Sequence, residues 1–166
     1  MDILQFLKSR HDAIRGACGQ LESTVGGQPR RREFDNLTSV LEAYMGLERD
    51  YLYPEIGGLF PGSDSLVAIG SANAAIIDKR LKALAKLWSK GGEEQAGFGV
   101  QLVALKGALL KHFEQEEQIL MPKMRAVMRT EDREDLGQVF ADLESEGLAA
   151  GLEKVKSPMT GTRKRA

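Results

Sequence analysis

The chain has 166 residues, one cysteine and a formal net charge of −1, from 23 basic and 24 acidic side chains. That length suits one domain with a real core, and the near-neutral balance excludes a broad electrostatic surface for nucleic acid or an anionic membrane. The single Cys18 excludes an intrachain disulfide, and no apolar run approaches the roughly 18 to 20 residues of a membrane span.

Four stretches carry apolar residues at helical spacing, with glycine- and proline-rich breaks between them. The first opens on Asp2 as N-cap, runs through Leu4, Leu7, His11, Ile14, Cys18, Leu21 and Val25, and stops at Gly26-Gly27 with Pro29 beyond. Its start, MDILQFLKSRHD, lacks the basic head and unbroken apolar core of a signal peptide, so a soluble cytoplasmic protein is expected. The second carries Phe34, Leu37, Leu41, Tyr44, Glu48, Tyr51 and Glu55 and ends near Gly57-Gly58. The third, capped by Ser63 or Asp64, carries Leu66, Ile69, Asn73, Ile76 or Ile77, Leu81, Leu84 and Trp88 and ends at Gly91-Gly92. The fourth carries Phe98, Leu102, Leu105, Leu109, His112, Glu116 and Ile119 or Leu120, and reaches about Met128. No alternation of period two is long enough for a sheet. The expected fold is all-α: an up-down-up-down antiparallel four-helix bundle over residues 1–128. A short C-terminal helix capped by Thr130 is expected within 129–149, and a disordered basic tail over 150–166.

Each stripe is interrupted at mid-length by polar residues: His11; Tyr44 and Glu48; Asn73; His112 and Glu116. Burying an unpaired carboxylate costs several kcal/mol, so such residues must meet partners or a metal. A rise of about 1.5 Å per residue puts His11 roughly 21 Å from the end of the first helix, and Tyr44 and Glu48 about 15 and 21 Å along the second. The same count brings Asn73, His112 and Glu116 to that level within about a turn, roughly 5 Å. All six can therefore share one layer. His112 and Glu116, four apart, present a nitrogen and a carboxylate to one interior point, a donor set that suits iron, zinc or manganese.

The second and fourth helices repeat one another: LEAYMGLERDYLYP at 41–54 aligns with LLKHFEQEEQILMP at 109–122. Glu48 matches Glu116, Leu52 matches Leu120 and Pro54 matches Pro122, while Tyr44 stands where His112 stands. HDAI at 11–14 pairs with NAAI at 73–76, so Asn73 stands where His11 stands. With these motifs the chain resembles the hemerythrin-like family, also called HHE cation-binding domains. The resemblance covers about residues 1–128. It implies a non-haem di-iron centre between four antiparallel helices, with bridging carboxylates and terminal histidines. His11, Glu48, His112 and Glu116 match the family's ligands residue by residue. Tyr44 and Asn73 replace two expected histidines, which speaks against simple oxygen carriage.

Tyr44 reads either as a core tyrosine with a paired hydroxyl or as a phenolate ligand, and Asn73 as a hydrogen-bonding residue behind the ligands or a weak amide ligand. Cys18 and Tyr53 read as core, Glu117 as solvated, and Tyr51, one turn from Glu48, as a support for the site. The expected function is a metal centre, most simply di-iron, that reacts with or senses O2, peroxide or nitric oxide. The alternative is a degenerate bundle with one metal or none, serving as a regulatory or interaction scaffold. A protein partner or a second copy of the chain stays open, and the substrate and catalytic residues are not legible. A ferritin-like reading fails because neither histidine has a glutamate three residues before it.

Overall fold

The computed structural model describes residues 1–92 and 97–150. In chain order the helices are α1 (Ile3–Ser23), α2 (Gly27–Leu47), α3 (Tyr53–Ile56), α4 (Ser63–Ser89), α5 (Phe98–Gln115), α6 (Met121–Val127) and α7 (Thr130–Ala150). A π turn over Glu48–Leu52 joins α2 to α3, and a second over Glu116–Leu120 joins α5 to α6. There is no strand among the described residues. The fold is an all-α bundle whose long members are α1, α2, α4 and α5. α1 and α5 run antiparallel, since Lys106 early in α5 pairs with Glu22 at the end of α1, whereas His11 early in α1 meets Glu116 just past α5.

Local chemistry explains most boundaries. Asp2 caps α1, its carboxylate accepting from the Leu4 N–H at 2.8 Å. α1 stops at Ser23, two residues short of the expected Val25, which is 89% exposed. α2 starts earlier than its apolar stripe, because Pro29 fits the first turn of a helix, where its missing N–H costs nothing. Gly62, with φ +86°, precedes α4, and Asp64 accepts from the Gly58 N–H instead of capping the helix. On α4 the inward face is Gly70, Asn73, Ile77, Leu81 and Leu84, while Ile69 and Ile76 are half exposed. The core away from the polar layer holds Phe34 stacked on Trp88 at 4.8 Å, with Phe98 beside both.

The C-terminal helix lies within a residue of its expected span, but it is not short. It is 21 residues long, as long as α1, and Thr130 is its first helical residue rather than its cap. It packs along α1 and α2, with Phe140 fully buried edge-on to Phe6, and Arg133 paired to Asp2 at 2.8 Å. The expected tail beyond residue 150 lies outside the described residues. Gly137 faces the N-terminus so closely that a Cβ there would run into the Met1 carbonyl oxygen and the Ile3 nitrogen. Gly137→Ala is therefore expected to destabilise the protein by about 1–3 kcal/mol through overpacking. Thermal melting checks this; an unchanged midpoint would mean that α7 does not hold the N-terminus.

Candidate metal centre

The two glutamates of the repeat each open a π turn, and the repeat supplies the reason. A proline stands six residues after each, at Pro54 and Pro122. Proline has no N–H for the carbonyl four residues back, and its ring crowds that carbonyl. The turn widens instead, so that the Tyr53 N–H bonds to the Glu48 carbonyl and the Met121 N–H to the Glu116 carbonyl, five residues apart. Residues five apart then stand over one another. Tyr53, not Tyr51, comes to lie beside the site; Tyr51 packs toward Phe140 instead.

The bundle gathers five of the six residues singled out by the sequence. His11 Nε2 lies 2.7 Å from the Tyr44 hydroxyl and 3.1 Å from Glu116 Oε2. The Tyr44 hydroxyl lies 3.0 Å from the same carboxylate oxygen. His112 Nε2 meets both Glu48 oxygens at 3.0 and 3.2 Å, with Glu116 Oε1 at 3.9 Å. Ligand atoms of His11, Glu48 and Glu116 all lie within 4.8 Å of one another. None of the four histidine and glutamate side chains is more than 1% exposed. Asn73 reaches the layer, 8% exposed, but its amide nitrogen donates to Gln115 Oε1 at 2.7 Å, across the α4–α5 seam.

Two further residues belong to the site: Tyr53, buried as expected of a core residue, and Glu117. The Tyr53 hydroxyl donates to Glu116 Oε1 at 3.2 Å. Glu117, expected in solvent, accepts from His11 Nδ1 at 2.7 Å and pairs with Arg15 at 2.9 Å. The widened turn swings Glu117 toward α1. Burial works to raise the Glu117 carboxyl, but the Arg15 and His11 hydrogen bonds outweigh it and hold it below its ordinary value. An ionised Glu117 accepts the hydrogen bond from His11 Nδ1–H, which orients the ring with Nε2 facing inward.

The electrostatics are unbalanced. Burial pushes Glu48 up to about 7, and it raises Glu116, which also faces the Glu48 charge. Burial lowers His112, so the imidazole is held neutral. Tyr44 is raised well above its ordinary value, by burial and then by the two carboxylates. Two buried carboxyl groups thus face His112, Tyr44 and Tyr53, and His11 Nε2 lies 3.1 Å from a carboxylate oxygen. A proton or a cation must lie between such atoms. His112 Nδ1 has no hydrogen-bond partner among the described residues, so nothing in the protein pins that ring's tautomer. The hard oxygens and imidazoles fit a divalent or ferric cation.

Comparison with known proteins agrees. Residues 2–124 match the model of the hemerythrin HHE cation-binding domain. The crystal structure of a hemerythrin HHE cation-binding domain-containing protein from Mycobacterium kansasii superposes with a TM-score of 0.74 at 22% identity, over 90% of this chain and 91% of that one. No curated protein matches. No helix among the described residues is long and apolar enough to cross a membrane.

Proposed function

The chain belongs to the hemerythrin HHE cation-binding family, and on that premise we propose that its buried donors hold iron, two ions as the family pattern implies, for reaction with peroxide, O2 or nitric oxide. The observation that carries the reading is a pair of fully buried carboxyl groups enclosed by two imidazoles and a phenol. His11 and His112 would be terminal ligands, Glu48 and Glu116 would bridge or chelate, and Tyr44 is the phenol that a bound cation would deprotonate. Bound iron would supply one-electron redox chemistry toward small oxidants. The chain's own part is to exclude bulk water, to orient His11 through Glu117, and to release carboxyl protons as the cation binds. Zinc and manganese suit the same donors. Iron is favoured because carboxylate and phenol donors are hard and anionic when bound. A chain with one free cysteine suits a reducing compartment such as the cytoplasm.

Peroxide consumption by the iron-loaded protein tests the reading. Loss of turnover in Glu116→Ala is expected; unchanged turnover would sink it. Glu117→Gln is expected to weaken metal affinity by about 10–100-fold, since the neutral amide no longer draws the Nδ1 proton. Competition with a chelator of known affinity measures this, and an unaltered affinity would remove Glu117 from the centre.

One observation favours a second reading. Asn73, at a position where the family has a histidine, is bonded to Gln115. A centre short of a ligand on α4 would hold one metal or none, and the bundle would then act as a regulatory or interaction scaffold. Visible absorption separates the two: a tyrosinate–iron bond colours the protein, and a colourless iron-treated sample favours the scaffold.

A further inference from the structure

His11, Glu48, His112 and Glu116 are at most 1% exposed, so a molecule that reacts at the centre needs a route through the bundle wall. Two cavities approach it. One, of about 240 Å³ between α1 and α5, is lined by Ile14, Cys18 and Leu109 with the cationic Arg15 and Lys106, and reaches Phe113. Phe113 stacks on the His11 ring at 4.2 Å and offers no polar atom. The other, of about 390 Å³, opens between α2 and α4. Leu41 and Met45 form one side, Ala74 and Ala75 the other, and Tyr53 lines it as well. The Tyr53 hydroxyl is bonded to Glu116, so one side chain touches both the cavity and a buried carboxylate.

We infer that the cavity between α2 and α4 is the route by which a small uncharged ligand reaches the centre, and that Tyr53 is the side chain that closes it. The inference rests on the metal reading above. Three features of the bundle wall support the direction and the ligand class. Tyr53 passes so close to α4 that a Cβ on Gly70 would lie 2.5 Å from its hydroxyl; the glycine is the notch that lets the phenol reach Glu116. The α4 wall beside it is built from small residues, which leave the passage open. The mouth carries Glu42, Asp78 and Arg49, and Arg49 is already paired with Asp50 at 2.7 Å, so the opening disfavours anions. Apolar walls behind an acid-rich mouth admit nitric oxide or neutral peroxide in preference to azide.

Stopped-flow mixing of nitric oxide with the ferrous-loaded protein tests this, with iron content measured first for each variant. Ala75→Trp puts an indole into the cavity from an exposed helical position, where folding is not at risk. It is expected to slow association by about tenfold. Tyr53→Ala joins the cavity to the centre and is expected to speed association by about tenfold. Ala75→Trp should retain wild-type iron content, and the Tyr53→Ala rate is read per bound iron. Association at the wild-type rate in an iron-replete Ala75→Trp protein would overturn the route, whatever the fate of Tyr53→Ala. A wild-type protein that takes up no iron would overturn the metal reading and the route together, and the iron measurement separates that case from the first.

Discussion

Glu116→Gln is expected to move metal binding and metal-free stability in opposite directions. The amide has the shape of the carboxylate and can keep hydrogen bonds to His11, Tyr44 or Tyr53, all of which meet Glu116 within 3.2 Å. What it removes is an acid that burial and Glu48 hold back from ionising, and whose charge, once formed without a cation, costs stability. Relieving such a charge is expected to stabilise the metal-free protein by about 1–3 kcal/mol near neutral pH. The same change removes a charged oxygen that contacts both histidines of the proposed centre, so metal affinity should fall by about 100-fold. A residue that merely packs would lose stability on substitution and leave metal uptake alone. Thermal melting of the metal-free protein and chelator competition, run on one preparation, read both arms. Lower stability with intact metal uptake would mean that Glu116 is a structural hydrogen-bonding residue.

The second large effect is a pH dependence that metal should abolish. Glu48 in the folded protein is raised to about 7 from an ordinary value of 4.5. Its stabilising contribution is complete below the unfolded value and is lost as pH rises through the folded one. Glu116 is raised in the same direction. His112 is lowered, so it opposes them, costing stability as pH falls below its ordinary value of 6.5. Two carboxyls outweigh one imidazole, and their loss extends to higher pH than its gain. The metal-free protein should therefore melt at a lower temperature at pH 8 than at pH 5, with a difference of order 3 kcal/mol from Glu48. Cation binding displaces those protons and supplies the missing charge, so the loaded protein should show little fall over that interval. Scanning fluorimetry at both pH values, with and without ferrous iron, checks it. A metal-free protein that is more stable at pH 8 would contradict the electrostatic account of the centre.

The polar layer was legible because the sequence writes it twice. Glu48 and Glu116, each followed by leucine and proline at fixed spacing, identify two faces of one site, and helix rise places His11 and His112 level with them. What the sequence hid follows from the same prolines. A strict helical period carried through Glu48–Leu52 puts Tyr51 over Glu48 and sends Glu117 outward. The π turn shifts the register, bringing Tyr53 to Glu116 and Glu117 to His11. The signal was present: a proline six residues after a buried glutamate, twice. Asn73 was placed in the right layer, but its bond to Gln115 depends on how α4 sits against α5, which no spacing on one helix contains. The same holds for Gly70, buried where Ile69 looked the better core residue, because the space there is filled by the Tyr53 ring. The span of α7 was legible to within a residue at each end although its surface is mostly polar; only its side toward Phe6 and Tyr51 carries the burial.

The central claim is that the buried layer is a cation site in the working protein. Its most direct test is metal per chain by plasma mass spectrometry, on protein purified without added metal or a metal-binding tag. The account predicts iron at about two per chain, filling a carboxylate-bridged centre in the bundle core. A protein that carries no metal, and takes up none on anaerobic ferrous loading, would contradict it: Glu48 and Glu116 would then be buried as protonated acids, and the polar layer would be a structural network.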